Sequence, residues 1–167
     1  MSDPSLLTSR TSQYLAFAAS QIELLENASG IFPARALKHA VLNSCSLAFF
    51  SYLDELNIDT HKFDIFQTLE DRLRQFKGLE SEDFRTQEIM TLLKTEGSWL
   101  RRFLDLERSS QVIKKRKQPV DEAEDAFIIR VQEVVPHWWE IETATLLIIL
   151  NKLKDLIARH REISAEE

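Results

Sequence analysis

Three glycines and four prolines in 167 residues leave this chain almost without the residues that turn a backbone sharply. An average chain of this length carries about a dozen glycines and about eight prolines. Strand-to-strand turns draw on both, because glycine supplies positive φ and proline presets a turn. A sandwich or barrel of many short strands is therefore excluded, and helices joined by a few short connections remain. The same scarcity removes two phosphate-binding loops. With glycine only at positions 30, 78 and 97, neither the P-loop pattern nor GxGxxG can be written anywhere.

Apolar spacing then divides the chain into helices. Between Thr8 and Asn27, Leu15, Ala18, Ile22 and Leu25 recur at three and four residues, with Tyr14, Phe17, Leu24 and Ala28 widening the stripe. Gly30 is placed to end this helix in a left-handed cap, and Pro33 suits the first turn of the next. From Pro33 to Asn57 nearly the whole circumference is small or apolar, which predicts the most buried helix, with Cys45 as a core thiol rather than a reactive one. A third pattern, Phe66, Leu69, Leu73 and Phe76, closes at Gly78. The fourth starts after a cap at Ser81 and runs from Phe84 to Leu104, with a kink expected at Gly97-Ser98. A last helix is expected from Trp138, with Trp139, Leu146, Ile149, Leu153 and Leu156 along one side, and Lys152, Lys154, Arg159, His160 and Arg161 complementing its dipole.

Residues 109–136 fit two descriptions. The basic run at 114–117 and the acidic Asp121, Glu122, Glu124 and Asp125 cancel in charge, and the apolar segments on either side suit a short hairpin or one helical face. Periodicity does not decide between them. The expected fold is thus all-α, an up-and-down bundle of four to five helices in one domain over residues 1–167, with a short hairpin or irregular segment near 109–136.

Composition removes further chemistries. A lone Cys45 excludes an internal disulfide and a cysteine-paired zinc site, and it suits a reducing compartment. The first residues show neither a basic region nor a continuous apolar segment of a leader, so a cytoplasmic location is expected. No transmembrane segment is expected either. The longest apolar run, Leu146 to Leu150, is far short of the ~20 residues a span requires. A net charge of −6 and the self-neutralising loop argue against nucleic acid as a partner. The four histidines form neither the repeated Glu-x-x-His pairs nor the HxxxH spacing of bundle metal sites, so no metal and no cofactor is expected. The acidic pairs Asp54-Glu55 and Glu82-Asp83 sit near expected helix ends, where capping and dipole roles account for them.

Two resemblances bear on function. The segments TSQYLAFAASQIELL, ALKHAVLNSCSLAFFSYLDEL and GSWLRRFLDLERSS resemble a family of small all-helical proteobacterial proteins known only as a domain of unknown function. The likeness covers roughly residues 8–110. It implies a bacterial, cytoplasmic helical protein and transfers no catalytic residue. Separately, Arg130 and His137 stand six residues apart, a spacing that resembles the R-x6-H signature of HEPN ribonucleases, where the pair polarises a phosphodiester. Here no Asn or Asp follows the Arg, and Pro136 precedes the His, which puts the catalytic geometry in doubt.

The second and last helices are both apolar around much of their circumference, yet a bundle of this size has one centre. The remainder predicts a non-enzymatic interaction domain, a homodimer or a complex with another protein, with Trp138 and Trp139 as the candidate interface. The competing expectation is a HEPN-like ribonuclease or a small-ligand bundle using Arg130 and His137.

Overall fold

The structure, a computed structural model, describes residues 4–56, 83–111 and 137–166. It is all-α: α1 (Pro4–Glu26), α2 (Ile31–Glu55), α3 (Phe84–Lys94), α4 (Trp99–Gln111), a 3₁₀ turn at Trp138–Glu140 and α5 (Thr143–Glu166). The third pattern, from Phe66 to Phe76, lies outside the described residues. So do the Ser81 cap, the charged loop and the hairpin alternative for 112–136.

α1 buries Thr11, Leu15, Ala18, Ile22 and Leu25, a run at four, three, four and three residues. Thr11 is tolerated there because its hydroxyl donates to the Leu7 carbonyl at 3.3 Å. α1 and α2 pack as an antiparallel hairpin, with Arg10 beside Ser51 and Asp54 at one end and Gln21 bonded to Ser44 farther along. α5 runs parallel to α2: Lys38 meets the Trp139 carbonyl, Tyr52 meets His160 and Glu55 meets Arg161. α3 is antiparallel to α5, with Arg85 at Ser164 and Glu88 at Arg159. The packing is that of an all-α helical bundle in which α1 and α3 run against α2 and α5, and α2 is its most enclosed member. Val41, Leu42, Cys45, Ala48, Phe49, Tyr52 and Leu53 are each at most 1% exposed. Burial pushes the Cys45 thiol up to about 12, against the opposing pull of Lys154, so it stays protonated and inert at neutral pH.

Three boundaries differ from the sequence expectation, each for a local reason. α1 ends at Glu26, and Asn27 and Ala28 turn back onto Leu24 and Leu25 with 3.2 Å bonds. Gly30 is the N-cap of α2 rather than a left-handed cap of α1. Its φ of 96° needs glycine, but its ψ of 154° lies outside the left-handed helical region. Gly97-Ser98 is a break rather than a kink. Gly97 has a φ of 74°, which no α-helix accommodates, and Ser98 restarts the chain as a cap, its Oγ accepting from the Arg101 amide at 3.2 Å. The last helix begins at Thr143, not Trp138. Residues 138–140 form a separate 3₁₀ turn, followed by extended backbone at Ile141, so the two indoles are not helical neighbours of the α5 stripe.

Candidate functional site

Two places gather side chains able to do more than pack. The first is the polar end of the bundle, where the N-terminus of α1, the C-terminus of α2, the start of α3 and the C-terminus of α5 converge. His160 lies on the apolar stripe of α5 and is 1% exposed. A buried imidazole needs partners for both nitrogens, and it has them. Nδ1 lies 2.6 Å from the Tyr52 hydroxyl, and Nε2 lies 2.9 Å from Glu88 Oε2. Burial works against ionised Glu88, but hydrogen bonds from Arg159 and His160 outweigh it and hold the carboxyl below its ordinary value. A carboxylate only accepts, so Nε2–H donates to Glu88, and in the neutral ring Nδ1 accepts from Tyr52. Burial likewise pushes the Tyr52 hydroxyl well above the usual tyrosine range and keeps it a donor. The chain Tyr52–His160–Glu88 thus ties α2 to α5 and α5 to α3.

Around this chain stand ion pairs. Arg161 Nη2 reaches Glu55 at 2.9 Å, Arg10 Nη2 reaches Asp54 at 2.6 Å, and Arg159 Nη2 reaches Glu88 at 2.8 Å. Asp54 and Glu55 occupy the C-terminal turn of α2, where the helix dipole disfavours carboxylates. A dipole role therefore does not explain that pair, and the arginines of α1 and α5 do. Asp83 does cap a helix: it is the N-cap of α3, accepting from the Arg85 amide at 3.1 Å. Burial would raise its carboxyl, but the Arg85 bonds win and lower it. A half-open cleft of about 340 Å³ lies over Tyr52 and His160, with Arg85, Arg161, Glu55 and Ser164 among its walls.

The second place is the 3₁₀ turn. Trp138 and Trp139 are both half-buried, their rings edge to face at 5.6 Å. Trp138 packs on the core and against the edge of His39, centroids 5.6 Å apart. Trp139 stacks on His137 at 4.3 Å and an interplanar angle of 7°, and the Arg35 guanidinium lies 5.6 Å from its ring centre. Lys38 Nζ donates to the Trp139 carbonyl at 3.0 Å, fixing the turn to α2. His137 itself is exposed, its amide held by Glu140 Oε2 at 3.2 Å. Arg130, the other half of the R-x6-H spacing, lies outside the described residues, as does His61. Among the described residues no group of three or more His, Cys, Asp or Glu is placed to hold a metal ion, and no helix is long and apolar enough to cross a membrane.

The Tyr52–His160–Glu88 chain is the arrangement that sequence reading missed. Its signal was present in the spacing of Leu153, Leu156, Ile157 and His160, which puts the histidine on the buried stripe, where a polar group requires partners. Which partners it finds, 108 and 72 residues away, no local pattern states. Compared with known proteins, the chain matches no family model, no curated protein and no solved structure.

Proposed function

We propose that the protein is a non-enzymatic helical interaction domain that pairs with a second copy of itself through the end of the bundle opposite His160. The supporting observation is where the exposed apolar side chains lie. Among the described residues the large exposed ones are Leu6, Phe17, Leu24, Ile31, Phe32, Leu47, Leu147 and Ile148. Because α1 is antiparallel to both α2 and α5, five of these eight, Leu24, Ile31, Phe32, Leu147 and Ile148, fall in the same half of the bundle, beside the Trp138–Trp139 turn. Phe32 is 82% exposed, and Leu24 and Ile148, at one level along the bundle axis, are 60% and 56% exposed. Single exposed hydrophobes are ordinary; a concentration of them at one end marks a contact surface. An isologous pairing would cover the same residues twice about one axis, which is the commonest form of self-assembly.

Sedimentation equilibrium of the native chain and of Leu24→Glu and Ile148→Glu tests this reading. A dimer that each substitution converts to folded monomer is expected. A dimer indifferent to both charges refutes the assignment of the surface, and a native monomer at micromolar concentration refutes self-association.

A further inference from the structure

The charges around the buried Tyr52–His160–Glu88 chain pair with one another: Arg85 with Asp83 at 2.9 Å, Arg161 with Glu55 at 2.9 Å, and Arg159 with Glu88 at 2.8 Å. The phenol between them is differently placed. Its hydroxyl donates to a neutral imidazole nitrogen 2.6 Å away, within the reach a base needs to take a proton. Tyr14, the other tyrosine of the chain, lies half-buried on α1 with its ring edge to face on Phe17. Loss of an electron turns a phenol into a strong acid, so a phenol already in contact with a base gives up electron and proton together and avoids a charged radical. Imidazole is suited to receive that proton near neutral pH. A buried imidazolium then needs a charged partner. Glu88 Oε2 stands 2.9 Å from Nε2, with Arg159 fixing the carboxylate, and Phe84 closes on the imidazole at 5.6 Å in a perpendicular contact. Tyr52 and His160 are each 1% exposed, which keeps the transferred proton from water and shields a radical. Both nonetheless line the half-open cleft of about 340 Å³, so a molecule in solution comes up to the phenol without displacing any helix.

We propose that Tyr52 is a one-electron donor, oxidised by a diffusible outer-sphere one-electron oxidant at the mouth of the cleft, with its proton passing to His160 Nδ1 and the imidazolium held by Glu88. In that step the Oη–H bond breaks, an Nδ1–H bond forms and the electron leaves for the oxidant. The product is a neutral phenoxyl radical beside an imidazolium–carboxylate pair. An electron from a thiolate or enediolate reductant, with the proton returned from Nδ1, restores the phenol. The oxidant need only touch the cleft, because an electron and no atom crosses to it. This activity is independent of the proposed pairing, which lies at the other end of the bundle.

Flash oxidation of the 167-residue protein by photogenerated tris(bipyridine)ruthenium(III), followed by electron paramagnetic resonance and transient absorption, tests the site. A tyrosyl radical is expected that persists in Tyr14→Phe, where Tyr52 is the single tyrosine left, and disappears in Tyr52→Phe. Its formation should be slower in heavy water, since proton and electron move together, and constant from neutral pH upward, since the proton acceptor is internal. Glu88→Gln should slow it about tenfold, the factor for one charge-assisted bond to the imidazolium. No tyrosyl radical in Tyr14→Phe, a variant that keeps the ring and leaves the chain intact, overturns Tyr52 as the donor. A rate that climbs with pH, or one indifferent to heavy water, overturns transfer to His160, and both are read on the native chain whether or not the Glu88 variant folds. Undiminished oxidation in folded Glu88→Gln overturns the part given to the carboxylate.

Discussion

The two ends of this bundle are built on opposite principles. At one, four helices meet through side chains that reach across long stretches of sequence: Arg10 to Asp54, Arg161 to Glu55, Arg159 to Glu88, and the buried Tyr52–His160–Glu88 chain. At the other, α1, α2 and α5 present Leu24, Ile31, Phe32, Leu147 and Ile148 outward, and among the described residues the polar contacts on that side include Ser44 to Gln21 and Lys38 to the Trp139 carbonyl. The polar end is finished within one chain, since its charges and its buried imidazole already have partners. The apolar end leaves these side chains exposed on the single chain. Exposed ion pairs add little to stability, so the polar end is better understood as fixing the register of α3 and α5 than as holding the fold together. Packing does the latter, most extensively where α1 lies along α2.

The contrast can be broken in order of expected effect. Leu153, fully buried in α5 between the two ends, should cost about 2–5 kcal/mol as Leu153→Ala, read as a shifted midpoint in chemical denaturation. Tyr52→Phe leaves His160 Nδ1 without its hydroxyl partner and should cost about 1–3 kcal/mol; calorimetry that finds it neutral would remove the chain from the account of the polar end. Acid should act through Glu88 and Asp83. Both carboxyls lie below their ordinary values in the folded protein, so their contribution is present above the unfolded pKa and is lost as pH falls through the folded one. Glu88→Gln should flatten part of that acid slope without changing the slope above neutrality, a comparison that thermal unfolding across pH provides. Smallest of all, Ile148→Ser at the apolar end should change the stability of the separated monomer by no more than about 0.5 kcal/mol, while weakening association.

Much of the architecture was legible in advance because helices advertise themselves by period. The stripe through Leu15, Ala18, Ile22 and Leu25 is buried as read, and so are Leu146, Ile149, Leu153 and Leu156. Boundaries were less legible where glycine was involved. The residue type says that φ will be positive, but at Gly30 it is ψ that decides between a cap behind one helix and a cap ahead of the next. At Gly97 the apolar pattern continues through the break in nearly the same phase, so periodicity alone favours one helix where two exist. Trp138 and Trp139 were read as the start of α5 for a similar reason, although Ile141 is extended and the helix starts afresh. The polar end was the least legible. Asp54, Glu55, Arg159 and Arg161 looked like ordinary charges at helix ends, and their pairing depends on which helices become neighbours, a property of the assembled bundle.

Native mass spectrometry of the gently purified 167-residue chain at micromolar concentration tests the central claim most directly. Self-association through the apolar end predicts a metal-free species at twice 19.4 kDa, reduced to the single-chain mass by Ile148→Glu. A native chain that stays at the single-chain mass would contradict the account, because the apolar end would then remain uncovered.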